Sequence, residues 1–169
     1  MGDFMKLKDN PLITDLIGQK TTKLDSRVIF FGTCDELSCH IMNVRCTIND
    51  EILKAELEVI VKTLSKIMGE VAGSKNKLVI EDLEYLLSLV DKYRFNYGVV
   101  KNFILPGQTK EACTIHIARC VARRAELAYA KVYADYKTSD IIFEYLNKIS
   151  TLFYDIAQKY DGEEGPKLI

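Results

Sequence analysis

"EILKAELEVIVKTLSKIMGEVAG", residues 51–73, carries Ile52, Leu53, Leu57, Ile60, Val61, Leu64, Ile67 and Met68 at steps of three and four residues. That spacing gathers them on one side of a 3.6-residue turn, whereas a half-buried strand would alternate by two. Asn49 and Asp50 stand before it as cap residues, and Gly73 closes it. The stretch predicts an amphipathic helix that must bury its apolar face against something else.

Reading outward, the same period recurs almost everywhere. A first helix is expected from about Ser26 to Arg45, capped by Asp25 or Ser26, with Val28, Phe31, Leu37, Ile41 and Val44 as apolar positions. A third covers about Ile80 to Phe95, a fourth about Gln108 to Asp135, and a fifth follows the cap Ser139 as "DIIFEYLNKISTLFYDIAQKY". "NYGVVKNFILPG", residues 96–107, is broken by Pro106 and Gly107. Val99, Val100, Phe103, Ile104 and Leu105 make it too apolar for a solvated loop. The tail, residues 161–169, is expected to fray. Short connections between five amphipathic helices predict an all-α five-helix bundle, up-down and ferritin-like in style, in one domain over residues 1–169.

A chain of 169 residues can bury roughly 70% of its unfolded surface without help from a metal or disulfide. A net charge of -1 supplies no field that would draw it to nucleic acid or an anionic membrane. No apolar run approaches the roughly 20 residues that span a bilayer. "MGDFMKLKDN" has no secretory character, so the expected location is cytoplasmic. Five cysteines at irregular spacing, Cys34, Cys39, Cys46, Cys113 and Cys120, are expected as reduced thiols, mostly small core residues.

The fourth helix offers two chemical readings. In "CTIHIARCVARRAE", residues 113–126, Cys113, His116 and Cys120 form one stripe and Arg119, Arg123 and Glu126 another. Zinc needs four ligands, or three and an open position, and no second cluster supplies a fourth. Packing is the better reading for the thiols and the histidine, and no protein metal site is expected. On spacing alone, the arginine stripe reads as a solvated face with weak pairing.

The neighbouring sequence changes that reading. Gly32-Thr33-Cys34-Asp35-Glu36-Leu37-Ser38, Phe103 to Gly107, His116 to Glu126 and Tyr145 to Ser150 occur in one order from about residue 12 to residue 160. Together they resemble the PduO-type ATP:cob(I)alamin adenosyltransferases. The family patterns are G-T-V-D-E-L-N, F-I-L-P-G-G, H-x-A-R-x-x-x-R-R-A-E and L-N-R-L-S. The resemblance implies a homotrimer with ATP and corrinoid bound between subunits. The implied reaction transfers the 5′-deoxyadenosyl group of ATP to the cobalt of cob(I)alamin or a corrinoid precursor, releasing triphosphate.

By the same resemblance, Arg119 and Arg123 are the ATP-site cations. Asp35 pairs with Arg119, and Glu126 and Asn147 contact nucleotide. Phe103 sits under the corrin and displaces its lower ligand, which eases reduction of cobalt. Mg2+ enters largely on the phosphates. A flavoprotein reductase and an adenosylcobalamin-dependent acceptor enzyme are the partners implied.

One block departs from the pattern. The N-terminal segment, residues 1–25, should wrap the triphosphate, yet "IGQKTTKLDSRV" retains only Gly18, Lys20 and Thr21 of T-G-D-x-G-x-T. Fewer glycines make a backbone phosphate cradle harder to form. The alternative is therefore a corrinoid- or nucleotide-binding carrier or sensor on the same scaffold, catalytically impaired.

Overall fold

The computed structural model describes residues 10–97, 103–161 and 167–169, the side chains of residues 95–97 excepted. Five helices form: α1 Ser26–Thr47, α2 Glu51–Val71, α3 Ile80–Tyr97, α4 Lys110–Tyr136 and α5 Asp140–Tyr160. Each lies within a few residues of its expected span. Three caps act as their chemistry requires, whereas Ser139, the expected cap of α5, makes no side-chain cap hydrogen bond. Asp25 accepts from the Arg27 amide, Asp50 from Leu53 and Thr109 from Ala112. Lys137, in the left-handed region at φ 54°, ends α4. Val99 and Val100 lie outside the described residues.

Helix α4 is central, with α1 on one side and α5 on the other; α2 packs on α1 and α3 on α5. Polar contacts close the bundle between α2 and α3, where Glu56 meets Lys92 and Tyr93, and Lys66 meets Asp82. Leu53, Leu57, Ile60, Leu64 and Ile67 of α2 are buried as expected, while Ile52 is exposed. In α1 the fully buried aromatic is Phe30, with Phe31 only partly covered, and Val28 is likewise only half-buried. The true face is Phe30, Cys34, Leu37, Ile41 and Val44. That stripe is shifted because Cys34 serves as a small apolar residue there, its thiol pKa pushed up by burial.

Three expectations need correction. Only Cys34 is a core thiol; Cys39, Cys46, Cys113 and Cys120 are exposed. Cys113 and Cys120 belong to a stripe with Ile117 and Leu127 that points away from the core, so they do not pack inside this chain. The tail does not simply fray: Leu105 donates to the Lys167 carbonyl and Ile169 to that of Phe103, because residues 103–105 present an open strand-like edge. The N-terminal segment is also not a bare loop. Residues 13–22 form an antiparallel hairpin, β1 Ile13–Leu16 and β2 Gln19–Thr22, around a two-residue turn with both central residues at positive φ, Ile17 and Gly18.

The hairpin is pinned by Asp25. Its carboxylate takes both Nε and Nη2 of Arg27 at 3.1 and 2.7 Å, and the hydroxyls of Thr21 and Tyr136 at 2.9 and 3.0 Å. Arg27 lies 4.3 Å over the Tyr136 ring. The Arg27 bonds, first among several, hold the Asp25 carboxyl well below the usual carboxylate range despite its burial. A depressed pKa stabilises above the unfolded value near 4 and is lost as pH falls below it. Asp25→Ala should cost about 2 kcal/mol at pH 7, combining a lost cap with lost charge-assisted bonds. In urea titrations the gap between wild type and variant should narrow progressively below about pH 4.

Gly107 fixes the turn into α4. It sits at φ +85°, and a Cβ there would lie 2.8 Å from Cys113 Cα and 2.9 Å from its amide nitrogen. Gly107→Ala should therefore destabilise by about 2 kcal/mol or more, read as a lower denaturation midpoint with unchanged slope.

Candidate functional site

Two facing stripes build the site. On α4, Arg119, Arg123 and Glu126 fall within about 60° of arc, and on α5 Asn147, Ser150, Thr151 and Tyr154 do so within about 100°. Where these helices pack, Arg119, Arg123, Ser150, Thr151, Tyr154 and Asp155 line a pocket of about 220 Å³, joined by Arg94 from α3. Glu126 accepts from Asn147 Nδ2 at 2.8 Å one step further along. Asn147 also borders a second cleft of about 440 Å³, with Tyr133, Asp140, Phe143 and Glu144.

The charge distribution separates the arginines. Of the six in the chain, Arg27, Arg45, Arg94 and Arg124 pair with Asp25, Glu58, Asp155 and Glu36. Arg119 and Arg123 have no carboxylate partner among the described residues. Arg119 donates instead to neutral atoms, His116 Nδ1 at 3.2 Å and Cys120 Sγ at 3.6 Å. Two guanidiniums without a carboxylate partner among the described residues of the chain thus share one helix face, and the planar fork of arginine suits phosphate or carboxylate oxygens.

Nearby, Arg94 lies 3.3 Å from buried Asp155. Burial raises the Asp155 carboxyl and Arg94 pulls it back down. Arg94, Ser150, Thr151, Tyr154 and Asp155 were not singled out in the sequence. The polar i, i+3, i+4, i+7 stripe on otherwise apolar α5 was the available signal for three of them.

Phe103 is 86% exposed in the loop before α4. The ring therefore adds nothing to the core of this chain, on a loop held by Gly107 and the paired tail.

The other expected residues are not assembled here. Asp35 is exposed and makes no ion pair among the described residues; the α1 carboxylate reaching α4 is Glu36, which meets Arg124. Helix α1 packs on a different side of α4 from the Arg119–Arg123 stripe, so the expected Asp35–Arg119 pair is not made within one chain. Gly18, Lys20 and Thr21 lie in the hairpin, whose anchor at Tyr136 is 13 residues and so about 20 Å along α4 from Arg123. Lys20 is exposed, while the Thr21 hydroxyl is committed to Asp25. Among the described residues no three His, Cys, Asp or Glu side chains converge as a metal cage, and His116 is buried while its two cysteine neighbours are not.

A sequence model of cobalamin adenosyltransferases matches residues 13–160. The corrinoid adenosyltransferase of Bacillus subtilis is 32% identical over 160 residues, covering 90% of this chain and 83% of that protein. The corrinoid adenosyltransferase PduO of Salmonella typhimurium is 28% identical over 153 residues, 86% of this chain but 46% of the relative. This chain thus spans about half the length of that relative. Among solved structures, an alanine-for-phenylalanine variant of the PduO-type ATP:corrinoid adenosyltransferase from Lactobacillus reuteri, complexed with cobalamin and ATP, superposes with a TM-score of 0.85 at 27% identity over 94% of each chain. A lysine-for-arginine variant of the same enzyme, complexed with ATP, gives 0.83 at 28% identity over 94% and 95%.

Proposed function

The chain belongs to the cobalamin adenosyltransferase family, and from that premise we propose that it transfers the 5′-deoxyadenosyl group of ATP to the cobalt of a cob(I)alamin-type corrinoid. The Co(I) electron pair forms the cobalt–C5′ bond, the C5′–O bond breaks, and triphosphate leaves with that bond's electrons. The protein supplies no nucleophile. Its work is to hold C5′ against cobalt and to balance charge building on the leaving triphosphate.

The uncompensated pair Arg119 and Arg123 carries this reading. They take the phosphates, and Glu126 with Asn147 holds the nucleoside end. Exposed Phe103 provides the apolar wall against the corrin face, keeping a lower axial ligand away. Magnesium travels with the phosphates.

Three features support a homotrimer with composite sites. The α4 stripe of Cys113, Ile117, Cys120 and Leu127 is exposed. Asp35, unpaired in its own chain, is available to Arg119 of an adjoining copy. The hairpin bearing Gly18, Lys20 and Thr21 stands too far from its own arginines but can serve a neighbour's. No described helix is long and apolar enough to cross a membrane; we place the enzyme in the cytoplasm, supplied by a flavoprotein reductase and serving an adenosylcobalamin-dependent enzyme.

The test is anaerobic mixing of purified protein with chemically reduced cob(I)alamin and Mg-ATP, following the spectrum for adenosylcobalamin. Formation is expected. Bound cobalamin with no conversion would overturn the enzyme reading in favour of a carrier.

A further inference from the structure

Within its own chain Arg119 has no carboxylate partner among the described residues, yet its side chain must stay in one place to receive a phosphate. A free arginine carries about 2 kcal/mol of rotamer entropy. Its firmest contact in the chain is the Nε bond to His116 Nδ1 at 3.2 Å, one helical turn back; the other, to Cys120 Sγ, is long and weak. Because a guanidinium N–H only donates, Nδ1 must present a lone pair and the imidazole proton must sit on Nε2.

We propose that His116 is a positioning residue of the transfer site: from within the same chain its Nδ1 lone pair orients the Arg119 guanidinium toward the nucleotide, alongside Asp35 of an adjoining copy. The proposal rests on the nucleotide reading above. The neutral ring acceptor engages Nε alone, and among the described residues the terminal nitrogens carry only the long contact of Nη2 to Cys120 Sγ.

The surroundings keep the ring in that role. His116 is 4% exposed and edge-on to Tyr154 of α5, with ring centroids 6.5 Å apart. Burial, then the Arg119 charge, lowers its pKa, while Asp161 at the end of α5 acts in the opposite sense. Asp161 also accepts the Gln108 amide at 3.1 Å, so the histidine's electrostatic neighbour is fastened to the Phe103–Gly107 loop.

A packing role predicts something different. His116 Nε2 is buried with no hydrogen-bond partner among the described residues, so an apolar side chain of similar size should pack there at least as well. His116→Leu should therefore keep the fold and lose nucleotide. Asparagine can put an amide oxygen near the Nδ1 position and does not titrate.

The experiment is calorimetric titration of Mg-ATP into wild type, His116→Leu, His116→Asn, Arg119→Ala and the His116→Leu/Arg119→Ala double variant, from pH 5.5 to 8. At pH 7.5, His116→Leu should bind about tenfold more weakly, the scale of one ordering hydrogen bond to a charged group. His116→Asn should recover most of that loss, and in the Arg119→Ala background His116→Leu should add nothing. As pH falls toward 5.5, past the ordinary imidazole value of about 6.5 that burial and Arg119 depress, wild-type affinity relative to His116→Asn should drop, since protonated Nδ1 becomes a donor facing a cation. That ratio cancels the titration of ATP itself. Unchanged binding in His116→Leu, or an equal loss with and without Arg119, would overturn the proposal alone. Absence of binding by wild type would overturn the nucleotide reading together with it. Should His116→Leu fail to fold, the pH dependence of the wild-type to His116→Asn ratio decides.

Discussion

Arg123→Ala is expected to abolish adenosyl transfer while leaving the bundle intact. Arg123 is exposed on α4 and has no ion pair among the described residues, so its removal breaks no fold contact of note. Alanine also has the higher helix propensity. Stability should stay within about 0.5 kcal/mol of wild type. Catalysis should not, because the guanidinium's proposed work is to balance charge that grows on the triphosphate as the C5′–O bond breaks. Removing one preorganised donor of this kind costs roughly 10²–10³ in kcat. Arg123→Lys should fall between, keeping the charge but losing the fork. The measurement is the initial rate of adenosylcobalamin formation, with circular dichroism on the same samples. Full activity in the alanine variant would remove Arg123 from the site.

Phe103→Ala is expected to have the second-largest effect, and one that depends on the oxidation state supplied. At 86% exposure the ring contributes little to folding, so the denaturation midpoint should not move. Reactions started from cob(II)alamin with a reductant should slow by about a hundredfold or more, equivalent to about 2.7 kcal/mol on the barrier. Reactions started from preformed cob(I)alamin should be hurt much less, because the ring's proposed work is to keep an axial ligand from cobalt before reduction. Equal losses from both starting states would mean that Phe103 only positions the corrin.

Much of this was legible in the chain. The α2 period fixed both a helix and its buried face, since Leu53, Leu57, Ile60, Leu64 and Ile67 leave no other side apolar enough to bury. The four family blocks singled out the arginine stripe as the candidate site. On α4 the small apolar face of Ala118, Val121, Ala122 and Ala125 reads as a close-packing face and is buried, but period alone could not separate His116 from its cysteine neighbours. Packing against α1 and α5 chose the alanine side and His116, leaving Cys113 and Cys120 outside. The hairpin was missed because its turn is Ile-Gly rather than Asn-Gly, and an isoleucine at φ 48° is not a residue the sequence would nominate.

The sequence by itself determined the helices and the caps Asp25 and Asp50, because periodicity and cap chemistry are local properties; the residues proposed for phosphate and corrin came from the likeness of its blocks to a family. Only the tertiary structure decided which charges remain uncompensated. Whether an arginine is neutralised depends on what a separate helix brings to it: Glu36 reaches Arg124, Asp155 reaches Arg94, and no carboxylate among the described residues of this chain reaches Arg119 or Arg123.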